Sequence, residues 1–389
     1  MLHCIEIRDF RSCHGIVLDD LPPMTVLAGR NAVGKSNILR AIQWAAETAT
    51  AGNVNESSSN SGDVAFRASA GNLVFDYSIK LTSTFKRDPE PRLEYHLFES
   101  LSYSEGRSGF QRIFRRENEK LMLGLLDTES QSINVGQNVP SMPALAALLP
   151  TSSRDLVLIR PFLSALQAVR YYPLLDEKGD ENDRFVVQSD YDKWLSGFQQ
   201  TGDPGTAVLP RLLHMSLTKR KQFEELQSLL GPNGLSLLDE IEIEPPRPEG
   251  SQRDDRFYWF RFRPNKRSPY LSLGGLSDGT QRVIRILIGL LCDQSGIMLL
   301  EHPEDKIHPG LLRKLIGLLR NYSVESQLIV ASHSPAVFNS LDPQSIRLVT
   351  MDQGETKVRA LSPEETRVAG KYLEEEGSLA DFLETVEGD

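Results

Sequence analysis

The chain has 389 residues, 40% hydrophobic and 25% charged, with a formal net charge of −10. These values describe ordinary soluble globular material, in two or three compact units by length. No run of eighteen apolar residues occurs, which excludes a helical membrane span, and the acidic balance argues against a protein coated in nucleic acid while leaving room for a local basic face.

Residues 1–7 lack a basic n-region and a cleavage-site pattern, so they are expected to form a first strand rather than a leader. Cys4, Cys13 and Cys292 are too few and too scattered for a disulfide framework or a zinc site. They suit buried thiols in a reducing cytosol, which is the expected location. Ile5, Ile7 and Phe10 begin an alternating strand with which residues 15–18 can pair. The apolar run 24–28 then leads into Gly29-Arg30-Asn31-Ala32-Val33-Gly34-Lys35-Ser36, the pattern G-x-x-x-x-G-K-S. Glycines at these positions let backbone N–H groups turn inward on a polyphosphate. Lys35 can reach the β- and γ-phosphates, Ser36 can ligate Mg²⁺, and a helix opening at Lys35 adds its positive end. Ile38, Leu39, Ile42 and Ala46 continue with helical spacing.

Residues 51–63, rich in Gly, Asn and Ser, read as a loop or a break. Residues 64–115 alternate as strands, notably 73–79 and 93–97, with turn residues at 88–91, and are expected to form an antiparallel lobe. A helix is expected over 161–166, a strand over 168–172 and a polar acidic loop over 176–183. Leu212, Met215, Leu217, Phe223, Leu226 and Leu230 give residues 191–240 a helical pattern, without the sustained heptads of a coiled-coil arm. Pro245, Pro246 and Pro248 close that unit, and a strand follows over 256–262. A helix after Ser277, a buried strand at 296–300, a helix over 310–320 and strands at 327–331 and 345–349 then alternate, which indicates a mainly parallel sheet.

Three sites in this last part carry chemistry. Ser277 and Gly279 open a helix and form an anion-receptive N-terminus, or a plain N-cap. Glu301 ends an apolar strand, where a P-loop NTPase holds the acid that orients Mg²⁺. His333 ends another buried strand, at the edge where open α/β sheets bind ligands, and can donate to a γ-phosphate. Arg112 with Arg115 and Arg116, residues 219–221, and Arg261, Arg263, Lys266 and Arg267 are basic clusters that suit solvated faces better than a nucleic-acid surface.

In this order the motifs resemble the ABC-type ATPases of the RecF and SMC kind. The likeness is greatest to short predicted AAA-family ATPases related to the overcoming-lysogenization-defect (OLD) proteins of anti-phage systems. It is carried by residues 5–12, 29–37, 276–280, 299–309 and 331–335, roughly a tenth of the chain. The resemblance implies an α/β ABC-type P-loop ATPase head with a mainly parallel core sheet, an antiparallel β lobe and a helical insertion. It divides the chain into residues 1–172 and 251–389 as the two halves of the head, with 173–250 as the insertion. It implies ATP and Mg²⁺ as cofactors and a head-to-head homodimer, or a higher oligomer, with ATP sandwiched between copies. On that pattern Gly29, Asn31, Gly34, Lys35, Ser36 and Asn37 serve phosphate and Mg²⁺, with Arg11 near the nucleotide. Ser277 and Gly279 reach the γ-phosphate of the opposing copy. Glu301 is the Walker B acid, His333 the switch histidine, and Gln167 the candidate Q-loop ligand to the metal.

One departure stands out. Relatives carry a second acid before the proline as general base, whereas here Glu301-His302 precedes Pro303. A neutral imidazole accepts a proton, but its pKa lies near working pH and a charge beside Mg²⁺ is unfavourable. Glu304 matches a further acid of the pattern and can compensate. Slow hydrolysis, with ATP as a dimer clamp, is the expectation. The leading reading is a sensor or scaffold of an anti-phage system working with a separately encoded effector such as a nuclease, since no nuclease block is visible after residue 341. The alternative is a DNA-repair or chromosome-maintenance ATPase clamping duplex DNA in a RecF-like manner. A transporter ATPase subunit fits less well, because of the long insertions and the Ser-Asp-Gly-Thr stretch.

Overall fold

A computed structural model describes residues 1–54, 61–86, 92–106, 109–124, 132–173, 183–201, 207–245, 256–292 and 296–375. The turn expected at 88–91, the acidic loop over 176–182, Pro246 and Pro248 lie outside the described residues.

The first half contains two sheets. β1 (Leu2–Asp9) and β2 (Ile16–Leu18) form the expected hairpin, with Ile5 opposite Leu18. β3 (Met24–Ala28) is buried throughout and leads through the glycine loop into α1 (Lys35–Thr50). β4 (Gly62–Ala70), β5 (Leu73–Lys86), β6 (Arg92–Glu105), β7 (Gln111–Glu117), β8 (Lys120–Leu123) and β9 (Ser132–Asn134) follow. They join the hairpin in one antiparallel sheet of order β2-β1-β4-β5-β6-β7-β8-β9. The antiparallel lobe therefore starts at Leu2, because β1 pairs with β4 on its other edge.

Next come α2 (Ser141–Leu148), α3 (Arg154–Gln167) and β10 (Val169–Tyr172). The helix expected over 161–166 begins earlier, capped by the Ser153 side chain accepting from Leu156 N. Pro161 is tolerated inside it because the carbonyl left without a donor is that of Val157, whose side chain faces water at 54% exposure.

β11 (Phe185–Val187), α4 (Gln188–Thr201), α5 (Val208–Thr218), α6 (Arg220–Leu230), β12 (Glu240–Glu244) and β13 (Phe257–Arg263) follow. The helical pattern holds with one exception: Leu217 is exposed while Leu212, Met215, Phe223, Leu226 and Leu230 are buried. β11, β13 and β12 form a small antiparallel sheet, in which β13 is the strand expected over 256–262 and β11 and β12 were concealed by the helical periodicity beside them.

α7 (Asp278–Leu291), β14 (Ile297–Glu301), α8 (Pro309–Tyr322), β15 (Gln327–Ser332), α9 (Pro335–Phe338), β16 (Ile346–Asp352), β17 (Glu355–Ala360) and α10 (Pro363–Glu375) complete the chain. The core sheet has the order β10-β14-β15-β3-β16-β17 and is parallel except for β17, an edge strand added by a tight turn at Gln353 and Gly354, both at positive φ.

A parallel sheet needs both faces covered. Met24, Val26, Ala28, Met298, Leu300, Leu328 and Val330 point to one side, against α5, α6, α7 and α8. Leu27, Ile297, Leu299, Ile329 and Ala331 point to the other, against α1, α3 and the antiparallel sheet. Gln327 couples the two sheets: its Oε1 accepts from Leu2 N at 2.7 Å and its Nε2 donates to Leu2 O at 2.9 Å.

The antiparallel sheet carries a buried charge pair. Glu99 accepts from Ser141 N, Ser141 Oγ and Tyr77 OH, and lies 3.7 Å from Arg116, with both side chains at 0% exposure. Arg116 also donates to the carbonyls of Asn118, Gly136, Gln137 and Val139. Breaking a buried pair by removing one partner leaves an uncompensated charge. Arg116→Ala is therefore expected to lower stability by about 3–5 kcal/mol, measured as a fall in the urea unfolding midpoint.

Candidate functional site

The carboxyl ends of β3, β14 and β15 lie side by side, with Ser332 opposite Ala28 and Glu301 opposite Ala331. Chain leaving these ends brings most of the predicted residues together. A Cβ on Gly29 would lie 2.2 Å from Val349 O, and one on Gly34 would lie 1.9 Å from Thr356 Oγ1. Gly34 also has φ 101°, so glycine is required twice over. Lys35 is 4% exposed, and its ammonium donates to Gly29 O and Arg30 O at 2.7 Å, inside the loop. Asn31 is exposed on the same loop. Asn37 Nδ2 donates to Ser12 Oγ at 2.8 Å, and Arg11 donates to Asn37 Oδ1 at 3.4 Å. Ser12 Oγ in turn meets Thr356 Oγ1 at 2.8 Å, so the β1–β2 turn is seated on the start of α1 and on β17.

Glu301 is 5% exposed, and both of its oxygens are engaged. Ser36 Oγ donates to Oε1 and the Tyr171 hydroxyl donates to Oε2. Burial and the bond to Glu301 push the Tyr171 phenol up to about 12, so it stays a donor. Arg40 Nε reaches the same hydroxyl at 3.4 Å. Tyr171 and Arg40 were not among the predicted residues. Tyr171 sits in a short run of aromatics, and nothing local in the sequence tells its end of β10 from any other strand end.

His302 follows Glu301 with φ 46°, in the left-handed region. Its N–H donates to Ala331 O at 2.9 Å, and Arg282, buried in α7, donates to its carbonyl at 2.6 Å. Pinned on both sides, its ring turns back toward Glu304. His302 Nδ1 lies 3.3 Å from Glu304 Oε1, and His333 Nδ1 lies 3.2 Å from His302 Nδ1 and 3.3 Å from Glu304 Oε1. The hydrogen bond with Glu304 holds His302 above the usual imidazole range. Burial opposes the charge on Glu304, but bonds from His302, from the His333 N–H and from its other donors outweigh it and keep its carboxyl below the usual range.

Ser277 and Gly279 are not joined by hydrogen bonds to the glycine loop among the described residues. Ser277 caps α7, its Oγ accepting from Thr280 N at 3.2 Å. Gly279 packs against the chain after Glu304, where a Cβ would lie 2.4 Å from Lys306 O. Gln167 is a correction. Val169 pairs with Ile297 and Tyr172 with Leu300, so Gln167 precedes the amino end of β10. It is exposed, and a strand length of about 13 Å separates it from the Glu301 edge. The basic clusters are largely neutralised: Arg116 is buried, Lys219 donates to Cys292 O, and Arg261 and Arg263 pair with Glu242, Glu244 and Glu240 across β12 and β13.

Two family models match the chain. One, described as "AAA domain, putative AbiEii toxin, Type IV TA system", matches residues 147–339, and one described as an AAA domain matches residues 4–138. A curated relative, the OLD nuclease of Thermus scotoductus, is 23% identical over 395 residues, which is 95% of this chain and 66% of that protein. The chain thus spans a little under two thirds of that relative's length. Similar solved structures include an SMC head bound to the C-winged helix domain of ScpA, with TM-score 0.45, 14% identity and coverage of 94% of this chain and 99% of that one. The SMC head domain from Thermotoga maritima gives TM-score 0.40, 14% identity and coverage of 93% and 99%.

The glycine loop, the strand-end acid and the mainly parallel sheet define a P-loop ATPase head. Within that class the chain is similar to AAA domains, whose models match both of its halves, and to the OLD nuclease of Thermus scotoductus. No helix among the described residues is long and apolar enough to cross a membrane.

Tyr171→Phe removes one of the two donors to a buried carboxylate. Nucleotide-free protein carrying it is expected to lose about 1–3 kcal/mol of stability, read by chemical denaturation.

Proposed function

We propose that this chain binds ATP with Mg²⁺, closes head to head on a second copy, and serves as the sensor or scaffold of a bacterial anti-phage system with a separately encoded effector. Gly29, Asn31, Gly34 and Lys35 would hold the phosphates, with Arg11 and Asn37 flanking them. Ser36 and Glu301 would hold Mg²⁺. The residues present fit these groups: two glycines occupy places where a Cβ would clash, and a hydroxyl and a carboxylate in contact are the hard oxygen donors Mg²⁺ takes. When bound, ATP and Mg²⁺ supply the reactive phosphoanhydride and the cation that polarises it. Ser277, exposed at the N-terminus of a fourteen-residue helix, and Gly279, buried in its first turn, would complete the site of the opposing copy. The anti-phage role is supported by the likeness to OLD proteins.

The observation that carries the clamp reading is the state of His302. It stands where relatives place the general base, and its Nδ1 is shared between Glu304 and His333. The bond to Glu304 holds His302 above the usual imidazole range, so at a given pH a larger share of it already carries the proton and offers no lone pair at Nδ1. Glu304 is the carboxylate beside His302, and its Oε1 is already engaged by both histidines.

Light scattering is expected to show ATP-dependent dimers. Lys35→Ala should abolish both ATP binding and dimers, whereas Ser277→Arg should retain ATP binding and lose the dimer. A chain that stays monomeric at saturating ATP removes the clamp. Phosphate release should be slow, and His302→Glu should raise it at least about tenfold, toward the roughly 10²–10⁴-fold that a positioned base supplies. Fast turnover that is lost in Glu304→Gln and untouched in His302→Gln would refute the role given to His302.

A further inference from the structure

His302, Glu304 and His333 place three ligand atoms at the corners of a nearly equilateral triangle, and we propose that they form a three-ligand site for Zn²⁺. The sides are 3.2, 3.3 and 3.3 Å, between His302 Nδ1, His333 Nδ1 and Glu304 Oε1. A tetrahedral ion with bonds of about 2.0–2.1 Å holds its ligands about 3.3 Å apart, so the three atoms outline one face of such a site. Two imidazoles and a carboxylate are a donor set Zn²⁺ takes readily. Ser36 and Glu301 offer Mg²⁺ oxygen alone, which separates the two cation preferences.

Hydrogen bonding alone does not account for the triangle. Each Nδ1 carries either one proton or one lone pair. If both nitrogens donate to Glu304, the contact between them is not a hydrogen bond. If one donates to the other, the acceptor nitrogen presents no proton to the carboxylate. With Glu304 ionised, no distribution of protons satisfies all three contacts, and one cation beside them does.

The backbone is arranged to hold the set. His302 is fixed in the left-handed region by Ala331 O and by Arg282, and the His333 N–H donates to Glu304 Oε1 at 3.2 Å. Glu304 is 9% exposed, whereas His333 is 43% exposed, so one side is closed and the other is open to solvent. Three protein ligands with an open fourth position are the pattern of zinc sites that exchange a ligand. None of the cysteines takes part, which is why counting cysteines gave no zinc site. In the ATPase reading, an ion here occupies the lone pairs of His302 and Glu304 and acts as a brake on turnover; the binding itself does not depend on that reading.

The test uses the full, nucleotide-free chain stripped with a chelator. Zn²⁺ titrated against a chromophoric competitor should bind one ion per chain, and Co²⁺ in its place should give the intense visible bands of tetrahedral coordination. His333→Ala and His302→Asn, the latter chosen because asparagine tolerates positive φ, should each weaken binding by about tenfold or more. Glu301→Gln and Ser36→Ala should leave it intact. Absence of stoichiometric binding, an octahedral cobalt spectrum, or binding that survives both histidine changes but falls with Glu301→Gln would overturn the site. The cobalt spectrum of the unaltered chain keeps the outcome decisive if a variant fails to fold.

Discussion

Glu301 holds three distant stretches of chain at one point. Its carboxylate is buried at the end of β14, where an unpaired charge would cost several kcal/mol. One oxygen takes a bond from Ser36 in the first turn of α1, 265 residues away, and the other from Tyr171 in β10, 130 residues away. Both donors arrive only if β10, β14, β15 and β3 stand in that order and register. The buried carboxylate thus makes the sheet and the glycine loop depend on each other.

The surrounding layers keep that register. Successive residues of β3, β14 and β15 alternate between two cores, one built with the helices of the second half and one with α1, α3 and the antiparallel sheet. Gln327 and Arg347 fasten the layers, Gln327 to the Leu2 backbone and Arg347 to the carbonyls of Asp19 and Asp20. The β1–β2 turn then reaches the phosphate loop through Ser12, Asn37 and Thr356. Loops at the carboxyl edge carry the chemistry, and the two cores hold them still.

Much of this was legible in the residues. The parallel strands 24–28, 297–301 and 327–332 show as short apolar runs because they are buried on both faces. The glycine loop shows because φ 101° at Gly34 and the close approach of Val349 at Gly29 admit no other residue. Other parts were hidden. β11 and β12 are short and lie at the margins of a strongly helical stretch, and β17 follows a turn whose residues also suit a loop. The helix over 154–167 begins before the expected 161–166, and its exposed flank makes Pro161 tolerable in the middle.

By itself the sequence determined the local elements and the identity of the phosphate loop, the strand-end acid and the histidines, because spacing along the chain encodes contacts a few residues apart. It placed His302 beside Glu301 but could not state what His302 touches. Only the tertiary structure decided that Tyr171 joins Glu301, that Gln167 precedes the amino end of β10, away from Glu301, and that His302, Glu304 and His333 converge. Those contacts depend on strand order, register and one backbone turn at positive φ, and these follow from how whole layers pack rather than from neighbouring residues.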